Sequence, residues 1–247
     1  MNATDEVENR VVAATAAYTA AYLEIERTFP IASVGEVDGL PYIRYHRTKG
    51  GVAHEVIAGH TAPETALGIL GRHPELADAF LSIFTTSEDG AEQPLNAASY
   101  ERVVHNFVMR CDVSAEHGGR ADASVVRFTK TDQIEQLAAL REDDNLRPEY
   151  LTNPAVRCYA LVIEDIPAAS ALLISSPGHD IAMIEHVHTL ETYRRRGYGR
   201  WLMRALHCEA ANLGAQAVVL GSNPSGRPLY ESLGYEFLCY EDVYARR

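Results

Sequence analysis

Val187-His188-Thr189-Leu190-Glu191-Thr192-Tyr193-Arg194-Arg195-Arg196-Gly197-Tyr198-Gly199 is the stretch on which the fold turns. Its opening residues close an apolar, partly β-branched run, Ile181 to Thr189, that reads as a strand. Its closing residues precede Trp201, Leu202, Ala205 and Leu206, an apolar stripe at helical spacing, so a helix begins at or near the glycines. Gly197 and Gly199 let the backbone approach a ligand with no Cβ in the way. The first amides of such a helix have no partners within it, and the helix dipole favours an anion in front of them. Arg194, Arg195, Arg196, Arg200 and Arg204 form the densest basic cluster in a chain of formal net charge −12. Basic clusters are more often solvated helix faces, but the glycine context makes this one suited to a pyrophosphate.

Two other phosphate-binding patterns fail here. The dinucleotide fingerprint needs a third glycine three residues after Gly199, where Leu202 stands. The Gly-x4-Gly-Lys-Ser/Thr loop is absent.

The stretch 187–199 resembles motif A of the GNAT acetyltransferases, a strand followed by Gln/Arg-x-x-Gly-x-Gly/Ala. A second segment, Gly221-Ser222-Asn223-Pro224-Ser225-Gly226-Arg227-Pro228-Leu229-Tyr230-Glu231-Ser232-Leu233-Gly234-Tyr235, resembles motif B of the same family. Order and spacing of the two agree with the family, and the resemblance runs from about residue 120 to residue 247. Glu191 departs from the proline that many members carry there. The resemblance implies an α/β (α+β) GNAT fold: a mixed, mostly antiparallel central sheet flanked by helices.

It also implies roles. Val187, His188 and Thr189 would pair through their backbone with the pantetheine arm of acetyl-CoA, the cofactor of the family. Arg194, Arg195, Arg196, Gly197, Tyr198, Gly199 and Arg200 would hold the pyrophosphate, and Asn223 would sit beside the pantetheine. Tyr230 matches the family's tyrosine that protonates the leaving thiolate; its bland alternative is a core tyrosine.

Glu185 is the candidate general base, nine residues before Arg194 on the strand that feeds the loop. Strand alternation puts it on the side of Val187 and Thr189, with His186 and His188 opposite; a bulge would reverse that. A cation-binding carboxylate, a surface charge and a water relay are the alternatives. His186-x-His188 could ligate a metal from one strand face, but no third ligand is evident, so no metal is expected.

The rest of the chain is ordinary. Val7, Val11, Ala14, Tyr18, Tyr22, Ile25 and Phe29 mark a helix ended by Pro30. Leu40 to His46 reads as a strand closed by Gly50-Gly51, Thr61 and Glu64 as a capping box, and Pro74 towards Phe84 as a helix. Ser87 to Pro94 reads as loop, and Phe107 to Val113 as a strand. Beyond a polar break at Ser114 to Arg120, the expected strands are 124–128, 156–163, 168–174, 181–189 and 217–220, with a last one after Gly234. A helix capped by Thr131 follows the first of these.

Two domains are expected, an additional N-terminal α/β domain at 1–119 and the acyltransferase at 120–247. The N-terminal part looks like the degenerate first unit of tandem GNAT members; an unrelated helical cap is the competing reading. Cys111, Cys158, Cys208 and Cys239 are scattered, the chain has no long apolar run, and its first residues lack signal-peptide character. A cytoplasmic protein with reduced thiols, no membrane partner and no nucleic-acid partner is expected. Direct transfer of an acetyl group to a primary amine of a small molecule or peptide is the expected activity. A catalytically silent CoA sensor or partner-binding module is the alternative, and a homodimer is expected only because many relatives are dimers.

Overall fold

The computed structural model describes residues 3–46, 51–113, 124–141 and 146–247. The first helix, α1 (Ala3–Glu26), follows the expected three-and-four spacing. Val11, Ala14, Tyr18, Ala21 and Ile25 are buried while Val7 and Val12 are exposed, which gives the helix one core-facing side. Then come β1 (Ala32–Val37), β2 (Leu40–His46), β3 (Val52–Gly59), α2 (Pro63–Arg72), β4 (Phe80–Thr85), α3 (Glu92–Ala97) and β5 (Tyr100–Asp112). The C-terminal half continues with β6 (Val125–Phe128), α4 (Thr131–Arg141), β7 (Val156–Ile163), β8 (Ile166–Ser175) and β9 (Ile181–Thr189). It closes with α5 (Tyr198–Asn212), β10 (Ala217–Ser222), α6 (Arg227–Glu231) and β11 (Glu236–Arg246).

All the strands join one sheet in the order β1-β2-β3-β4-β11-β5-β10-β9-β8-β7-β6. Among the described residues, only β3–β4 and β9–β10 pair in parallel; the remaining neighbours are antiparallel. Apart from β6, the order is symmetric in topology about its centre. Reading outward from the central β11–β5 pair, β4 answers β10, β3 answers β9 and β2 answers β8. Helix α2 lies in the chain between β3 and β4 as α5 does between β9 and β10. The two halves therefore repeat one topology, and each sends its last strand to the centre. The boundary expected between residues 119 and 120 lies outside the described residues, as does Gly50.

Helices cover both faces. On one, α1 and α4 pack through Ala14, Tyr18, Ile134 and Leu137 against Ile181, Met183 and Val219. On the other, α5 packs through Leu202, Met203 and Leu206 against Ala182, Ile184 and Val218. Helix α2 packs through Ala66, Ile69 and Leu70 against Val56 and Leu81. All four cysteines are free and buried. No helix among the described residues is long and apolar enough to cross a membrane.

Several local expectations change. Thr61 and Glu64 form no capping box: the cap of α2 is Ala62, without a side-chain bond, and Pro63 at the first helical turn needs no N–H partner. The helix expected from Pro74 towards Phe84 is a 3-10 turn at Pro74–Leu76 followed by strand β4. Leu81, Ile83 and Phe84 are buried there, because β4 is covered by helices on both faces and its run is too short for helical and strand periods to be told apart. The loop from Ser87 is shorter than expected, since α3 begins at Glu92. The strand placed at 107–113 starts earlier, at Tyr100. Glu164 and Asp165, the expected turn, both hold positive φ (50° and 65°), the conformation a two-residue hairpin demands.

Candidate active site

Strands β9 and β10 run side by side only from Ile181–Ala217 to Met183–Val219. Past that point they part, and a cleft of about 590 Å³ opens between them. Two features of the sequence make the parting. A bulge sets two residues of β9, His186 and Val187, against the single Ala171 of β8, with His186 at φ 52°. On the other side, Gly221 permits a close approach: a Cβ there would lie 2.7 Å from the Tyr18 hydroxyl.

The bulge overturns the simple alternation. Glu185 faces α1 and lines one cavity with Tyr18, whereas Val187 packs with the α5 side of the sheet. Glu185 thus stands on the opposite face from Val187. The backbone N–H of His186 donates to Glu185 Oε2 at 2.9 Å, which fixes the carboxylate at the mouth of the gap.

Glu185, Val187, His188, Thr189, Arg194, Asn223 and Tyr230 all line the cleft. Arg195, Arg196, Gly197, Tyr198, Gly199 and Arg200 lie beyond that lining, in the exposed loop and the first turn of α5. Gly197 caps α5 with φ 82°, a conformation that strains any residue with a Cβ. No side chain caps this helix, and its first internal bond is Trp201 N–H to Gly197 O, so the preceding amides face outward. Arg194 Nε donates to Thr189 O at 3.0 Å, which folds the loop back on the strand. Arg200 is committed elsewhere, to the backbone and hydroxyl of Ser232 at 3.1 and 2.8 Å. Gly199 is where the helix meets the cleft wall: a Cβ would touch Thr189 Oγ1 at 3.4 Å and Leu229 at 3.5 Å.

Across the gap, Asn223 Oδ1 accepts from Ser225 Oγ and Gly226 N, both at 2.8 Å, which holds the turn into α6. Gly226 is needed there, since a Cβ would press on Ser222 Oγ and the Tyr230 ring, both at 3.2 Å. Tyr230 is buried, stacks edge-on against Tyr235 at 5.7 Å, and has its phenol pushed up by burial and then by the Glu185 charge. Glu185 itself is raised, chiefly by burial, with the neighbouring His186 and Tyr18 opposing.

Sequence reasoning missed Ser222, Gly226 and Leu229 in the lining, although all lie within the quoted motif B segment. It also missed a neighbouring cavity of about 350 Å³ on the α1 face, which shares Glu185 and His186 with the cleft. Tyr18, Glu26, Glu55 and Asn106 line that cavity from the N-terminal half, and no local pattern ties them to residues so distant in sequence.

The arrangement is that of an α/β protein with a splayed parallel strand pair and a helix N-terminus beside its mouth. Residues 124–235 match the acetyltransferase (GNAT) family, and this segment of the chain is a GNAT domain. No curated protein matches the sequence. Among solved structures, the chain is similar to a GCN5-related N-acetyltransferase from Kribbella flavida, with TM-score 0.64 and 16% identity over 94% of this chain and 95% of that one. It is similar to a tandem GNAT protein from the clavulanic acid biosynthesis pathway, with TM-score 0.60 and 12% identity over 98% and 95% of the two chains. A GCN5-related N-acetyltransferase from Sphaerobacter thermophilus gives TM-score 0.56 and 12% identity over 96% and 90%. These likenesses are of fold.

Proposed function

We propose that the chain is an acetyl-CoA-dependent N-acetyltransferase that moves an acetyl group directly to a primary amine. The observation that carries this reading is the parting of β9 from β10 beside a helix N-terminus, with Glu185 and Tyr230 both lining the gap. The residues present fit the cofactor. Glycines at 197, 199 and 226 keep the loop and cleft walls clear of side chains, and outward amides of α5 favour a pyrophosphate. Val187, His188 and Thr189 lie where β9 has parted from β10, facing the cleft that would take the pantetheine, and Arg194 and Asn223 flank them.

Acetyl-CoA supplies the acyl group as a thioester. Glu185, from the α1 face, takes a proton from the acceptor's ammonium and frees its nitrogen lone pair. A carbon–nitrogen bond then forms as the carbon–sulfur bond breaks. Tyr230, from the other face, delivers its phenolic proton to the departing sulfur, and the second proton shed by the acylated nitrogen passes through solvent to restore the phenol. Its raised pKa keeps that proton in place throughout the working pH range. Backbone amides on the parted edge of β9 would stabilise charge on the acyl oxygen.

Calorimetric titration of the purified protein with acetyl-CoA, followed by a screen of amines for thiol release, tests the proposal. Micromolar binding and amine-dependent thiol release are the expected results. A folded protein, free of copurified CoA, that binds no acetyl-CoA would overturn it. Binding without transfer to any amine would favour the silent sensor.

A further inference from the structure

Behind the parted strands, the cavity of about 350 Å³ falls within the range of small-molecule sites. Four glutamates line it, one from each of four elements: Glu26 of α1, Glu55 of β3, Glu185 of β9 and Glu241 of β11. Among the described residues of its lining there is no lysine or arginine.

Three of the carboxylates are held in place. Glu55 accepts from Ser82 Oγ at 2.6 Å, Tyr22 at 3.2 Å and Tyr45 at 3.4 Å. Glu241 accepts from Tyr18 at 3.0 Å and Asn106 Nδ2 at 3.1 Å. Glu185 accepts from the amide of His186. Glu26 differs: it is only 6% exposed, and its Oε2 has no hydrogen-bond partner. A buried acceptor without a donor costs more than one that is bonded, so an orphan carboxylate oxygen on a cavity wall marks where a donor belongs.

Neutral hydroxyls and amides orient these groups without cancelling their charge. Burial, with repulsion from Glu55, pushes Glu26 up to about 7, against the influence of the Tyr45 hydroxyl and attraction from Arg147. Burial, with repulsion from Glu185 and Glu55, pushes Glu241 up to about 7, against hydrogen bonds from Asn106 and Tyr18. A bound cation relieves both effects at once.

We infer that this cavity receives the second cationic centre of the acceptor, and that the acceptor is a small linear diamine or polyamine. Its reacting amine stands at Glu185, where cavity and cleft share a wall, and its distal ammonium reaches Glu26 and Glu55 in the N-terminal half. An ammonium brings three donors on a compact positive charge, which suits Glu26 Oε2 and the neighbouring carboxylate. A singly charged amine would leave those two groups unmatched. The inference rests on the acyl-transfer reading of the adjoining cleft.

The test compares putrescine and spermidine with butylamine at equal ionic strength. Acetylation by the full chain is followed by thiol release, and binding of each amine without acetyl-CoA is followed by calorimetry. The diamine should exceed butylamine in kcat/KM by about tenfold or more, the scale of one charge-assisted hydrogen bond. Glu26→Gln and Glu55→Gln should each pull that ratio towards one and abolish diamine-specific heat, with circular dichroism confirming the fold. Equal kcat/KM for both amines, or a ratio that neither variant moves, overturns the inference and leaves acyl transfer intact. Diamine-specific binding that is lost in Glu26→Gln, in a protein that binds no acetyl-CoA, keeps the cation site and removes the acyl-transfer reading. Absence of diamine-specific binding and of acetyl-CoA binding together overturns both.

Discussion

Tyr18 on α1 places its hydroxyl 3.0 Å from Glu241 Oε2 on β11, bridging residues 223 positions apart. The bond lies under β10, at the place where Gly221 leaves room for the tyrosine. Helix α1 is therefore keyed to the reactive gap as well as to the core.

That contact sets the first prediction. In Gly221→Ala the new Cβ would lie 2.7 Å from the Tyr18 hydroxyl, so helix or strand must shift. Overpacking of this kind costs about 1–3 kcal/mol. Chemical denaturation should show that loss. Tyr18→Phe, which removes the clashing oxygen, should cost less in the Gly221→Ala background than in the wild type. Equal costs in both backgrounds would mean the two groups do not meet.

Tyr230→Phe removes one oxygen from a ring held by Tyr235 and Gly226. Turnover should fall by roughly 10²-fold, the lower range for a lost general acid. Acetyl-CoA affinity, read by calorimetry, should stay within about twofold because the loop that would bind phosphate is untouched. Unchanged turnover would take Tyr230 out of the acid role.

At Gly197 the test is conformational. Its φ of 82° is strained for valine and tolerated by asparagine, while a Cβ there meets no atom within 4 Å. Gly197→Val should weaken acetyl-CoA binding and cost about 1–3 kcal/mol of stability, and Gly197→Asn should do much less of both. If both variants bind alike, the left-handed turn is not what shapes the loop.

The sequence carried a good part of this, and the limits are specific. The strand–loop–helix at 181–212 was legible because glycine, arginine and an apolar stripe fall at spacings that only one local structure satisfies. Motif B was legible for the same reason. The bulge at His186–Val187 was not, because residue types alone do not reveal a residue at φ 52°, and so Glu185 changed faces. Strand β4 was hidden by burial on both faces, which erases alternation. Glu26, Glu55 and Asn106 were invisible as site residues because only the sheet order brings them to Glu185.

The raised carboxylates give a pH prediction. Glu26 and Glu241 titrate at about 7 in the fold against 4.5 for an ordinary glutamate. A group whose folded pKa is raised favours the fold fully below its unfolded value, and that advantage is lost as pH rises through the folded value. Stability of the ligand-free protein should therefore decline between about pH 4.5 and pH 7 on account of this pair. Glu26→Gln should be more stable than wild type at pH 8, by up to about 3 kcal/mol, and nearly equal at pH 5. Urea denaturation at the two pH values decides it; a variant equally destabilised at both would show that Glu26 is not under charge strain.

The central pair of strands has a consequence for inheritance. Strand β5 sits between β11 and β10, and β11 sits between β4 and β5, so each half is closed by a strand from the other. Recombination that joined the first half of one such protein to the second half of another would have to match three seams in register. Arg110 would need its Val219 and Glu236 neighbours, and Thr85 its Tyr240, from a foreign parent. The halves look like modules on paper, yet they can be exchanged between lineages only as a pair, and substitutions along the seam should travel together.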